Sequence, residues 1–178
     1  MKKPSVTQLL DLLSKPALIG WANKLGLQGV DIKEKRRASL AKGRSLHGQI
    51  ERVSLGTGGF DSDTNRTRFD ALMANKSIIS VEKKIETEWF IGRYDSMILD
   101  ENGQCWIADY KSGFKGRIYL ENKLQLIAYT MAVPADMAII SVPQFQFIPV
   151  TVLDRNPYEQ MLIKLSEIYR LKKEINNV

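Results

Sequence analysis

Three strand-like runs follow one another between Ser77 and Lys111, and a helix-like run separates them from two further strands. The runs are rich in β-branched and aromatic residues, and turn-forming residues lie between them. We expect strands at 78–81, 89–99, 104–110, 137–142 and 145–153, with the intervening helix at 120–132. This order predicts an α/β (α+β) fold with a central mixed sheet flanked by helices.

Helical segments precede and follow these strands. Ser5 and Gln8 form a capping-box pattern before an apolar run, so a first helix is expected to reach Pro16. Apolar residues spaced at i, i+4 and i+7 predict a longer helix over 34–53. The 178 residues fit one domain, 1–178, with a basic helical N-terminal part at 1–55, a sheet core with its crossover helix at 77–153, and a C-terminal helix at 155–176.

Basic residues are concentrated in the first third of the chain. Residues 1–60 carry 11 Lys and Arg against 4 Asp and Glu, whereas residues 61–178 carry 15 against 16. Such a cluster is typical of contact with a phosphate backbone, and a solvated helix face is the alternative interpretation. Its densest part comprises Lys33, Lys35, Arg36, Arg37, Lys42 and Arg44.

Two neighbouring strands carry charged residues inside apolar runs. Asp109 and Lys111 flank Tyr110 at the end of a strand, so their side chains point to the same face. A charged pair in that position is partly buried and costly unless it has a function. Asp95 lies in a similar apolar run one strand earlier. Carboxylates on paired strands could hold a hard divalent cation, with carbonyls and waters completing its shell.

The length of the hairpin loop decides whether these two carboxylates share a face. A two-residue turn at Asn102 and Gly103 would place Asp95 opposite Tyr110, with the carboxylates on opposite faces. A three-residue loop with Gly103 in the left-handed conformation would place Asp95 opposite Asp109. Both faces look apolar, so the hydrophobic pattern leaves both registers open. A metal site at these carboxylates requires the second register.

His47 is the only histidine of the chain and shares one helix face with Gly43 and Glu51. Taken alone, it is better explained as a surface residue or a satisfied core residue. Gln125 and Tyr129 are also four residues apart, and packing of the crossover helix explains that spacing equally well.

Taken together, these residues form a series of four motifs that resembles the PD-(D/E)XK nuclease superfamily. It is most similar to the RecB-like exonuclease branch, which includes the mitochondrial genome maintenance exonuclease and the CRISPR-associated four-cysteine nucleases. The match runs from about residue 43 to 130, and the resemblance implies a restriction-endonuclease-like core. The motifs are Gly43-x-x-x-His47, Gly92-x-x-Asp95, Asp109-x-Lys111 and Gln125-x-x-x-Tyr129.

The resemblance implies a role for each residue of the series. Asp95 and Asp109 would bind Mg²⁺ or Mn²⁺ together with the main-chain carbonyl of Tyr110, and His47 would be a further ligand. Lys111 would position or activate the attacking water, so that Asp95, Asp109 and Lys111 form the catalytic set. Imidazole is softer than carboxylate, which favours Mn²⁺ as an alternative to Mg²⁺.

The remaining residues are assigned to nucleic-acid contact or to support. Gln125 and Tyr129 would contact the nucleic-acid backbone or brace the site. The basic N-terminal part would grip the strand through Arg36, Arg37, Lys42 and Arg44. Glu51 and Glu82 are expected to be solvated or salt-bridged rather than auxiliary acids.

The function implied by the resemblance is that of a metal-dependent DNA nuclease. We expect an ATP-independent exonuclease that hydrolyses phosphodiester bonds at or near free ends of single-stranded or duplex DNA. The lone Cys105 excludes an iron–sulfur cluster, and no G-x-x-x-x-G-K-[S/T] motif for ATP occurs. The alternatives are a non-catalytic nucleic-acid-binding or adaptor protein, and a dimeric structure-specific endonuclease on the same core.

No apolar run approaches the roughly 18 residues of a membrane helix, and the polar first residues do not resemble a signal peptide. We therefore expect a cytoplasmic protein without a membrane partner, of a kind that fits a phage or a mobile element. The oligomeric state is left open.

Overall fold

Five strands lie side by side in chain order in one mixed sheet. The first three strands and the last pair are antiparallel, whereas the third and fourth are parallel. The computed structural model describes residues 2–13, 16–112, 114 and 116–176. The strands are β1 (Lys76–Glu86), β2 (Ile91–Asp100), β3 (Cys105–Ser112), β4 (Asp136–Val142) and β5 (Gln146–Pro149).

Helices cover both faces of this sheet. The chain contains α1 (Val6–Leu10), α2 (Pro16–Leu27), α3 (Ile32–Ser54), α4 (Asp63–Met73), α5 (Leu120–Thr130) and α6 (Asn156–Asn176). α5 joins β3 to β4, which is the crossover that a parallel pair requires. The predicted α/β class with a central mixed sheet is confirmed, and the arrangement is consistent with a restriction-endonuclease-like core.

The two faces of the sheet bury separate apolar clusters. On one face, Ile107 of β3 packs with buried residues of α1, α5 and α6. On the other face, Ala108 and Tyr110 pack with residues of α3 and α4. Because both faces of β3 are covered, its sequence is apolar at successive positions. This is why the hydrophobic pattern could not choose the register of the hairpin.

The first helix is shorter than its sequence pattern predicted. The capping box is present, since Ser5 Oγ accepts the N–H of Gln8 and Gln8 Oε1 accepts the N–H of Ser5. The helix nevertheless ends at Leu10. The expectation that it reaches Pro16 is therefore wrong, because turns follow Leu10 in place of further helical bonds.

The long helix α3 has two different halves. Its second half packs Leu46 and Ile50 against the sheet. The stretch 33–42 is exposed along its whole length and carries most of the basic cluster. The half that bears the charges therefore stands clear of the sheet, beside the face where α3 meets β1 and β3.

The β2–β3 hairpin adopts the register that a metal site requires. Ser96 pairs with Ala108 and Leu99 with Cys105, and the same register continued by one residue places Asp95 opposite Asp109. Three residues, 101–103, form the loop. The predicted three-residue loop is confirmed.

Two features hold this loop. Gly103 has a φ of 78°, a left-handed conformation that glycine adopts without steric cost. The Asp100 carboxylate accepts the N–H groups of Asn102 and Gln104, which closes the turn from the side of β2. The register that brings the carboxylates together is thus set by local turn chemistry.

Within the described residues, every helix is too short or too polar to cross a lipid bilayer.

Candidate metal-binding and catalytic site

Asp95 lies where β2 and β3 separate. The paired residues end at Ser96 and Ala108. Beyond them, the Asp95 carboxylate accepts a hydrogen bond from the backbone of β3 in place of a backbone carbonyl of β2. Its Oδ2 accepts the backbone N–H of Tyr110 at 2.7 Å. The His47 Nδ1 lies 3.7 Å from the same oxygen. One carboxylate therefore connects the end of β3 with α3.

The surroundings of Asp95 disfavour an isolated negative charge. Burial raises the pKa of the Asp95 carboxyl well above its usual range, and the nearby charge of Asp109 adds to this effect. The Tyr110 N–H and the Lys111 ammonium oppose it only in part. A carboxylate in this state gains free energy from binding either a proton or a metal cation.

Asp109 and Lys111 share one face of β3, as the alternation of the strand predicts. The Lys111 Nζ lies 2.8 Å from Asp109 Oδ2. The Asp109 side chain is 3% exposed, whereas that of Lys111 is 29% exposed. The carboxylate is thus held inside while the ammonium reaches the surface of the site.

Gln125 and Tyr129 lie behind Lys111. The Lys111 Nζ donates to Gln125 Oε1 at 2.9 Å, and Gln125 Nε2 donates to the Tyr129 hydroxyl at 2.9 Å. Burial raises the pKa of that hydroxyl, with the charge of Asp109 as a second cause, so it stays protonated. Tyr129 is 4% exposed. Its position corresponds to the bracing role and leaves little surface for contact with a nucleic acid.

His47 contacts one of the other groups that the resemblance assigns to the metal. Its Nε2 lies 2.9 Å from the Tyr110 carbonyl oxygen. Because a carbonyl oxygen can only accept, Nε2 carries the proton and donates this hydrogen bond. Nδ1, which lies 3.7 Å from Asp95 Oδ2, is then the ring nitrogen with a lone pair for a cation.

Glu82 is a site residue that sequence reasoning set aside. Val81 pairs with Ser96 and Lys83 with Tyr94, so Glu82 lies opposite Asp95 on the outer side of β2. Ligand atoms of His47, Glu82 and Asp95 all lie within 4.8 Å of one another.

The salt bridge expected for Glu82 is also present, since Arg93 Nη1 lies 3.6 Å from its Oε2. The pairing of β1 with β2, had it been known from the sequence, would have placed Glu82 opposite Asp95. The register shifts between Ile78 and Ser80, however, and no sequence signal marks that shift.

The site opens into a groove of about 460 Å³ between α3 and the sheet. Gly43, Arg44 and His47 line it from α3, Glu82 from β1, and Ser112 from β3. Arg44 is thus the one of the four predicted grip residues that lines the groove. Arg36, Arg37 and Lys42 do not line it, although they lie on the exposed half of α3, whose Ser39 and Leu40 border the same groove.

The motif glycines have packing roles. A Cβ on Gly92 would lie 3.1 Å from side-chain carbons of Val6, Ile85 and Tyr129. A Cβ on Gly43 would lie 3.2 Å from Ser112 Oγ. The absence of side chains at these positions lets Tyr129 approach β2 and lets α3 approach the end of β3.

Comparison with known proteins adds little to this geometry. No family model matches the chain, and no curated protein matches it. A solved structure titled "Crystal structure of SSO0001" is similar at 20% sequence identity and a TM-score of 0.45, covering 93% of this chain and 74% of that one.

Proposed function

We propose that this protein is a divalent-metal-dependent DNA nuclease that hydrolyses phosphodiester bonds at or near free DNA ends without ATP. One observation carries the proposal: four motifs that lie far apart in the sequence meet in one connected site. His47 contacts Tyr110, Asp95 bonds the same residue, and Lys111 joins Asp109 to Gln125. The resemblance to the RecB-like branch supports an exonuclease in particular.

The donor set of the site fits a hard divalent cation. Carboxylates of Asp95 and Asp109, the Tyr110 carbonyl and the His47 imidazole are oxygen and nitrogen ligands that suit Mg²⁺ or Mn²⁺. Burial raises the pKa of the Asp95 carboxyl because it disfavours the negative charge, and a bound cation would compensate that charge. A cation held there would supply a bound water of lowered pKa and would stabilise charge on the phosphate.

Lys111 contributes a fixed positive charge. Its ammonium is oriented by Asp109 on one side and by Gln125 on the other. A held ammonium can direct a water toward phosphorus and stabilise charge on a phosphate oxygen. Because Gln125 is itself held by Tyr129, the position of Nζ depends on α5 as well as on β3.

The substrate is delivered along α3. Arg44 lines the groove, and Arg36, Arg37 and Lys42 continue the positive charge along the exposed half of the helix. Contacts of Lys and Arg with phosphates supply affinity that is independent of sequence and falls with salt. A strand lying along α3 would enter the groove at His47.

A cleavage assay tests this proposal. End-labelled single-stranded, linear duplex and closed circular DNA are incubated with Mg²⁺, Mn²⁺ or EDTA, beside the Lys111→Ala and Asp109→Asn variants. Lys164→Ala is the matched control, because Lys164 is an exposed lysine that pairs only with Glu167 on α6 among the described residues.

We expect metal-dependent loss of linear DNA, no loss of circular DNA, and no activity in the two site variants. Binding without cleavage in either metal would favour the adaptor function instead. Cleavage of circular or branched DNA by a dimer would favour the structure-specific endonuclease, because a symmetric double cut needs two active sites.

A further inference from the structure

We propose that Glu82 is an additional ligand of the divalent cation, alongside His47 and Asp95. This inference rests on the metal site of the proposed function and adds a carboxylate that the resemblance does not assign. It gives this chain a metal site built from three neighbouring strands instead of two.

The first argument is the row that the carboxylates form. The β1–β2 register places Glu82 opposite Asp95, while Asp95 and Asp109 directly follow the last pair of β2 and β3, Ser96 and Ala108. Three acidic residues therefore form a row of neighbouring positions on β1, β2 and β3. Like charges on directly opposed residues of antiparallel strands destabilise a sheet. A row of three needs positive charge nearby.

The described side chains supply only part of that charge. Lys111 is engaged with Asp109 at 2.8 Å. Arg93 reaches Glu82 only at 3.6 Å, and its side chain is 53% exposed, so solvent screens this pair. Asp95, between them, has one basic group within 4 Å among the described residues, the His47 ring at 3.7 Å. The centre of the row is where a cation offsets the most repulsion.

A buried oxygen in the same row gives a second, independent argument. The Asp109 side chain is 3% exposed. Its Oδ2 contacts Lys111 Nζ, but among the described residues no donor has the geometry of a hydrogen bond to it. Buried carboxylate oxygens normally accept hydrogen bonds or bind cations. This oxygen therefore retains acceptor capacity for a cation.

The geometry suits a single cation. Ligand atoms of His47, Glu82 and Asp95 lie within 4.8 Å of one another. Ligand atoms on one octahedral cation are about 3.0 Å apart when neighbouring and about 4.2 Å apart when opposite, so the three side chains would move inward by up to about 2 Å to share one cation. His47 and Glu82 also line the groove of about 460 Å³, which leaves room for water molecules on the open side of the cation.

Metal binding without DNA tests the inference. Mn²⁺ is titrated calorimetrically into the wild-type chain and into the Glu82→Gln, Asp95→Asn and Glu86→Gln variants. Glu86 is the matched control because it lies on the same strand but pairs with Lys3 away from the site. Circular dichroism and thermal unfolding verify that each variant is folded.

We expect Glu82→Gln to weaken Mn²⁺ binding at least about tenfold while Glu86→Gln leaves it unchanged. Wild-type affinity in folded Glu82→Gln would overturn the inference and leave the proposed metal-dependent function intact. A wild-type chain that binds no Mn²⁺ would overturn both.

A second variant separates direct ligation from a charge effect at a distance. Glu82→Cys is made in a Cys105→Ser background and titrated with Cd²⁺, which thiolates bind strongly. Direct ligation produces a sulfur-to-cadmium charge-transfer absorption band that the Cys105→Ser parent lacks. Absence of the band in the folded variant would contradict a ligand role for this position.

Discussion

The Asp95 carboxylate accepts the backbone N–H of Tyr110 at 2.7 Å, and the carbonyl of the same Tyr110 lies 2.9 Å from His47. One residue of β3 therefore contacts both a carboxylate from β2 and an imidazole from α3. Because the N–H and the carbonyl belong to the rigid backbone, the positions of Asp95 and His47 are fixed relative to each other. The site is built around the main chain of Tyr110, whose N–H and carbonyl make these contacts whatever side chain the residue carries.

Replacing Asp95 by Asn is expected to change how stability depends on pH. Burial raises the pKa of the folded carboxyl, so the metal-free folded state binds this proton more tightly than the unfolded chain does. The contribution of Asp95 to stability is therefore lost as pH rises from about 3.9 through the raised pKa, by about 1.4 kcal/mol per pH unit in that window. Asn removes this loss and can still accept the Tyr110 N–H.

Thermal unfolding in a chelator, at a series of pH values, measures this effect. The melting temperature of Asp95→Asn should rise relative to that of the wild type as pH increases through the window. Curves that stay parallel at every pH would show that Asp95 does not titrate as its burial implies.

Removing Lys111 is expected to abolish activity and to destabilise the metal-free protein. Lys111→Ala leaves the Asp109 carboxylate, 3% exposed, without its counter-ion. Breaking a buried ion pair at one partner costs about 3–5 kcal/mol, and the exposure of Lys111 places the expected loss at or below the lower end. The double variant Lys111→Ala with Asp109→Asn should recover stability but not activity. A double-mutant cycle in urea measures the coupling, and additive losses would contradict the pair.

Tyr129 is expected to act through Lys111 and not through the nucleic acid. Tyr129→Phe removes the hydroxyl that accepts Gln125 Nε2, which loosens the group that orients the ammonium. Because Tyr129 is 4% exposed, kcat should fall several-fold while the Kd for DNA stays unchanged. Steady-state kinetics and fluorescence anisotropy separate the two quantities. A raised Kd with unchanged kcat would indicate a direct contact instead.

A side chain at Gly92 is expected to destabilise the fold. The Cβ of Gly92→Ala would lie 3.1 Å from carbons of Val6, Ile85 and Tyr129, and such overpacking costs about 1–3 kcal/mol. Gly59→Ala is the matched control, because nothing lies within 4 Å of the corresponding Cβ. Chemical denaturation of both variants measures the difference. Equal stability of the two would mean that the three side chains can move aside.

The exposed half of α3 is expected to set the salt dependence of DNA binding. Replacing Arg36, Arg37 and Lys42 together by Ala removes up to three phosphate contacts. The negative slope of the logarithm of the DNA association constant against the logarithm of the salt concentration should then become shallower by up to about 2–3. Anisotropy titrations in EDTA, where no cleavage is expected, measure this slope. Lys164→Ala should leave it unchanged, and an unaltered slope in the triple variant would place the DNA elsewhere.

Local sequence signals specified much of this molecule. The Ser5 and Gln8 capping box, the alternation of Asp109 and Lys111, and Gly103 in the hairpin loop each act over a few residues, and each is present as expected. Each of these features depends on interactions between residues that are close together in the sequence, so the sequence alone is enough to predict it.

The tertiary structure decided how residues of different helices and strands are placed relative to one another. The register shift in β1 brings Glu82 to Asp95, the exposed half of α3 stands clear of the sheet, and Asp109 is buried beneath Lys111. Each of these depends on how distant elements pack against one another. A single sequence lists the side chains that meet in the site, but their distances, burial and charge balance exist only after the sheet and its helices have assembled.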